Sequence, residues 1–282
     1  MNLRTLAQVG SLHRQGPITR LISPEDLGEA LKPFIFLDYF AGEISPGFGF
    51  PMHPHSGIAT LTWQPGCDVR YRDTTGKDGT LKAGGLEWMN AGGGAWHQGV
   101  LLGQGRVMGF QLWVAMPPGV ESGPPLGQYV APTDVPILAA EGVEIKLFLG
   151  HLRLAEKIAI SPITSHQVMN YFTVSLAPGV RWRYAPPVAH DVAWAFDYAG
   201  DVLMQGARAP TGGVKVFASS GDMQFEAGSR GGSILVGSAV RHPHPLVIGP
   251  SSVHTSREAL DQGLAQIESA GSHLPAALEF HR

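Results

Sequence analysis

Glycine and proline punctuate this chain from one end to the other. The 37 glycines and 22 prolines fall mostly as single breaks between short apolar runs. Such spacing interrupts any long helix and is the texture of an all-β protein with many turns. Candidate strands in the first half are ITRLIS (18–23), FIFLDYF (34–40), IATLTWQ (58–64), DVRYRD (68–73), LEWMNA (86–91) and RVMGFQLWVAM (106–116). DVRYRD alternates as a half-buried strand does, whereas FQLWVAM is nearly continuously apolar and reads as a buried strand. The stretch 117–136, PPGVESGPPLGQYVAPTDVP, is rich in proline and glycine and is the best linker candidate. Strands resume with VEIKLFLG (143–150), KIAIS (157–161), NYFTVSL (170–176), VRWRY (180–184), VAWAFDYAG (192–200), VKVFA (214–218) and SILVGSA (233–239). The two halves are similar in length and strand succession, without a strict repeat. This predicts two β-barrels or sandwiches in tandem, residues 1–130 and 131–282.

One helix is expected near the end. Thr255 and Glu258 have capping-box spacing, Leu260, Leu264 and Ile267 form one apolar face, and Gly271 is a natural stop. The helix is expected to pack on a barrel and to have no chemistry of its own.

Composition narrows the function classes. Apolar residues make up 44% of the chain and charged residues 15%, which suffices for a real core. The net charge of −3 and the lack of a basic cluster give no electrostatic reason to expect direct nucleic-acid binding. A single cysteine, Cys67, excludes an intrachain disulfide and a cysteine zinc cage; its PGCDV setting reads as a turn rather than as a catalytic thiolate. The N-terminus has no long apolar stretch, so neither a signal peptide nor a membrane anchor is expected, and the default is a soluble cytoplasmic protein.

The chemistry-bearing residues are histidines. His53 and His55 flank Pro54, and in a strand residues i and i+2 share a face. The two imidazoles therefore project together, on a backbone stiffened by the proline. His97 follows 42 residues after His55, behind a glycine run that lets the chain turn or approach closely. The three could hold one metal ion; the plain alternative is surface or capping histidines in loops. His242 and His244 repeat the spacing but lack a following alternating strand, and read as a loop. His151 and His190 stand alone and read as structural. Glu87, Trp88 and Met89 lie in a strand whose aromatic residue reads as core. There is no GxSxG, Walker or HExxH motif, and the glycine pairs lack a dinucleotide-site context.

FPMHPHSGIATLTW, then GGLEWMNAGGGAWHQG, then GFQLWVAMP together resemble the pirin family of bicupins. PLVIGPSSVHTSREAL resembles that family's stretch before a terminal helix, and the likeness runs from about residue 10 to about residue 270. The resemblance implies two cupin (jelly-roll) barrels with a C-terminal helix. It implies one divalent metal in the N-terminal barrel and none in the other. The family ion is usually iron; nickel, copper, manganese and zinc, or no metal at all, are the alternatives here. The family's three histidine ligands match His53, His55 and His97. Its glutamate ligand falls at Gly99, and a second acidic position of the family falls at Ala59. Both carboxylates are therefore missing. Three neutral imidazoles leave the ion's charge uncompensated and open a coordination position at Gly99. Gln98 is adjacent, but strand alternation aims it away unless the strand is irregular.

The resemblance implies a non-haem metal dioxygenase, like quercetin 2,3-dioxygenase, acting on a small aromatic flavonol-type substrate. Trp96 and Met52 are mouth candidates, unless alternation turns them outward. The competing expectations are a metal- or redox-responsive regulatory module with a protein partner, and a degenerate metal-free bicupin.

Overall fold

In the computed structural model, residues 2–208, 212–272 and 274 are described. The expected all-β architecture is present, with one long helix, Arg257–Ser272, near the C-terminus. None of the helices among the described residues is long and apolar enough to cross a membrane.

The chain sorts into two compact units that do not follow the expected division at residues 130 and 131. One unit gathers Arg14–Glu29, Phe34–Asp134 and His242–Arg282; the other gathers Met1–His13, Ala30–Pro33 and Val135–Arg241. The terminal helix thus belongs with the histidine-bearing half rather than with the second barrel. The physical reason lies in the pairing partners. The N-terminal strand Leu6–Val9 pairs with Lys215–Phe217. The strand Ser252–His254 meets the chain at Ser56, where Ser56 Oγ lies 3.0 Å from Ser252 Oγ and 2.9 Å from His254 Nε2.

In the histidine-bearing unit two antiparallel sheets face each other. The larger runs Leu126–Val130, Leu86–Asn90, Ile58–Trp63, Gly105–Ala115, Phe34–Ile44, Ile18–Ile22. The smaller runs Gly49–His55, Ala95–Leu102, Asp68–Asp73, Asp78–Leu81. The expected linker 117–136 is structured here: Leu126–Val130 pairs with Leu86–Asn90, and buried Glu121 accepts hydrogen bonds from the Thr255 backbone N–H at 2.7 Å and its hydroxyl at 2.6 Å. Thr255 is therefore committed to Glu121, and the expected capping box does not form. The helix begins two residues later, and Ser256 Oγ accepts from the Ala259 N–H at 3.1 Å. Leu260 and Ile267 are buried as expected; Gly271 does not end the helix, which continues through Ser272.

The other unit is built on two long bulged strands, Val192–Met204 and Met223–Ala239, which pair with each other. Its core includes Leu147, Phe172, Val174, Ala195, Phe225 and Val236.

Candidate metal centre

Strand geometry delivers the first two ligands. His53 and His55 lie on the edge strand Gly49–His55 of the smaller sheet and turn to one face, as their spacing predicts. The neighbouring strand Ala95–Leu102 sets His97 directly opposite His53, so the rings pack 4.4 Å apart between centroids. The His55 ring lies 5.2 Å from His97 and 5.0 Å from His53. One nitrogen from each ring lies within 4.8 Å of the others. The structure therefore brings His53, His55 and His97 together. His242 and His244 lie in a loop with ring centroids 5.2 Å apart, as their context predicts.

Each ring is oriented by a partner on Nδ1. His53 Nδ1 lies 2.7 Å from the Pro51 carbonyl, His55 Nδ1 lies 2.8 Å from the Ser251 carbonyl, and His97 Nδ1 lies 3.0 Å from Glu87 Oε1. An acceptor on Nδ1 places the proton there and leaves Nε2 with its lone pair, the tautomer that ligation through Nε2 requires. His97 Nε2 is buried and has no hydrogen-bond partner among the described residues. A buried, orphaned imine nitrogen is costly unless something ligates it. At His53 and His55 protonation does not compete. Burial, then the neighbouring His97, pushes His53 down to about 4. Burial, then His97 and His53, holds His55 well below its usual range. Both are neutral near pH 7. Three imidazoles, each anchored through Nδ1, fit a first-row divalent ion.

The site opens on a cavity of about 240 Å³ between the sheets. Phe36, Phe50, Phe110 and Trp113 give it aromatic walls, with Thr62 and Gln111 as polar points. Thr62 donates to Gln111 Oε1 at 2.9 Å, which fixes both. Trp113 stacks on Phe36 at 4.1 Å and meets the His55 ring edge-on at 4.9 Å.

Several sequence expectations are corrected here. Glu87, read as part of a core strand, faces this cavity beside His97. Every residue of Leu86–Asn90 is buried, so alternation in that strand carried no signal of which face is functional. Trp96 does not line the mouth: its indole N–H donates to the Ile267 carbonyl at 3.1 Å, on the C-terminal helix. Met52 is not among the lining residues, and neither is Gln98, which is buried. Gly99 does line the cavity, beyond a register shift between His97 and Gly99. Cys67 is a free thiol that receives the Gln64 amide at 2.8 Å, and burial pushes it up, away from the thiolate. His151 lines a separate cavity in the other unit, and His190 is buried against Ser238 Oγ at 2.9 Å.

A family model described as Pirin matches residues 17–114, which contain the three histidines. A pirin-like protein of Caulobacter vibrioides is 33% identical over 62% of this chain and 63% of its own length, just under two thirds of that relative. A Pseudomonas aeruginosa protein named as a candidate quercetin 2,3-dioxygenase is 30% identical over 84% of this chain and 85% of its own. Among solved structures, a quercetin 2,3-dioxygenase from Acinetobacter baumannii superposes with a TM-score of 0.83 at 23% identity, covering 96% of this chain and 98% of that one. A bacterial pirin from Escherichia coli in complex with nickel(II) superposes with a TM-score of 0.64 at 18% identity, covering 85% and 100%. At these identities the structural likeness establishes the fold.

Proposed function

The chain belongs to the pirin family, and we propose that it is a metal-dependent oxygenase for a small aromatic substrate carrying adjacent oxygen donors, a flavonol-type ring being the leading candidate. The reading rests on one observation above all. Three imidazoles, each fixed through Nδ1, converge at the wall of an aromatic-lined cavity.

His53, His55 and His97 would hold the ion through Nε2. An ion bound there would supply Lewis-acid polarisation of a substrate oxygen and access to dioxygen chemistry. The rest is the work of the chain. The aromatic walls exclude water and bury the flat faces of the substrate. Gln111, fixed by Thr62, presents a polar group to a hydroxyl or carbonyl on the ring. Gly99 leaves room beside His97 where a side chain would otherwise stand. The cavity, at about 240 Å³, is smaller than a typical ligand pocket of roughly 300–1,000 Å³. Phe50, 46% exposed, stands where the cavity lining meets solvent.

The test is oxygen uptake by metal-reconstituted protein over a panel of flavonols, catechols and hydroxypyrones. Substrate-dependent uptake that needs the added metal, and that disappears in His55→Ala, is the expected result. Lack of uptake with every metal and substrate in the panel, in protein shown to be metal-loaded, would remove the oxygenase reading.

A further inference from the structure

The pirin pattern puts a glutamate at position 99, and this chain has glycine there. Two carboxylates nevertheless line the cavity: Asp38 is paired with Arg20, and Glu87 meets His97. We propose that Glu87 is a positioning residue that supplies, through His97, the negative charge the family pattern places on the ion directly. The inference rests on the three-histidine reading of the site.

Four observations carry it. Glu87 Oε1 lies 3.0 Å from His97 Nδ1, and the two side chains are 8% and 6% exposed. A carboxylate so buried is retained only where a partner compensates it, and the partner here is a ligand ring whose other nitrogen is orphaned. Second, the three histidines are not equivalent. His53 and His55 face neutral carbonyls, while His97 faces a carboxylate. A carboxylate on Nδ1 makes Nε2 the stronger donor, so His97 becomes the dominant ligand.

Third, Glu87 reaches the site from the opposite sheet. It stands between Thr62 and Tyr129 in the larger sheet, whereas all three histidines belong to the smaller one. The contact therefore also ties the two walls of the cavity together. Fourth, Gly99 is not demanded by the backbone. A Cβ built there would meet Val69 Cγ1 at 3.4 Å, an ordinary contact. The glycine thus makes space rather than a turn.

The charge balance follows. A divalent ion with three neutral imidazoles and one carboxylate carries a net charge of about +1 whether the carboxylate binds directly or through His97. The indirect arrangement leaves one more position on the ion for oxygen donors of a substrate.

The test measures metal affinity by chelator competition at fixed pH in four proteins: parent, Glu87→Gln, Gly99→Glu and the double variant. Affinity is expected to fall about 10- to 100-fold in Glu87→Gln, with the thermal midpoint of the metal-free protein unchanged. The Co(II) absorption spectrum should shift in the same variant. The double variant should recover most of the lost affinity. Glu87→Gln within twofold of the parent would overturn the proposal. So would a lowered midpoint in the metal-free protein with unchanged affinity in the folded fraction, which would mark Glu87 as structural only. A parent that takes up no metal would overturn the three-histidine reading and this inference with it. Absent oxygen uptake in a metal-loaded parent would touch the oxygenase reading alone.

Discussion

Gly57 follows the histidine pair after one residue and holds a φ of +77°, a conformation open to glycine and strained for other residues. A Cβ there would stand 2.1 Å from the Val253 carbonyl oxygen. Gly57→Ala should therefore cost about 2 kcal/mol or more through strain and clash combined. It should also weaken metal binding, because Val253 lies two residues from Ser251, whose carbonyl orients His55. Denaturant unfolding and metal titration of the variant check both. At this scale the sequence was readable where local geometry decides the outcome. His53 and His55 share a face because strands have a period of two, and His97 was found from the motif order. Glu87 was not readable, because its role depends on a residue across the cavity in another sheet. Trp96 was ambiguous for a similar reason: alternation turns it from His97, and only the distant helix shows what it turns toward.

The C-terminal elements form much of the support for His55. The strands Val247–Gly249 and Ser252–His254 pair, and Ser251, one of the two residues between them, holds a φ of +52° while its carbonyl meets the His55 ring. Ser252 and His254 then clasp Ser56, 196 and 198 residues earlier in the chain. Contacts of such separation leave no trace in local periodicity. This is why the terminal helix is legible in the sequence as an element, whereas its grouping with the histidine-bearing strands is not. Its start was displaced for the same reason: Glu121, within the stretch read as linker, takes both donors of Thr255. Ser256→Ala should accordingly lower stability by about 1 kcal/mol through loss of the cap. Glu258→Gln should change it by less than about 0.5 kcal/mol, since no capping box is present to break. Thermal unfolding of the two variants separates the capping arrangements.

On the scale of the whole molecule, each unit holds buried polar groups that make stability depend on pH and charge. In the unit without the histidine cage, burial first, then Arg4 and His151, depresses His190 from 6.5 to about 4. The unfolded chain therefore binds a proton at this position below about pH 6.5 that the folded chain refuses until about pH 4. Stability contributed here is full above pH 6.5 and is lost as pH falls toward 4. Urea midpoints between pH 4 and 8 should show this slope in the parent and a flatter one in His190→Gln. Lys215, fully buried, pairs with Asp197 in the same unit. Asp197→Asn should cost about 3 kcal/mol or more, because it leaves an ammonium uncompensated in the interior. Denaturant unfolding reads that loss.

The most direct test of the account is metal content. Protein prepared without a histidine tag or chelator, and then offered iron, nickel, copper, manganese and zinc in turn, should bind one ion per chain in the parent. His97→Ala, folded by circular dichroism, should lose it. A parent that takes up none of these ions, or a His97→Ala variant that retains one with parental affinity, would contradict the three-histidine centre on which the functional reading stands.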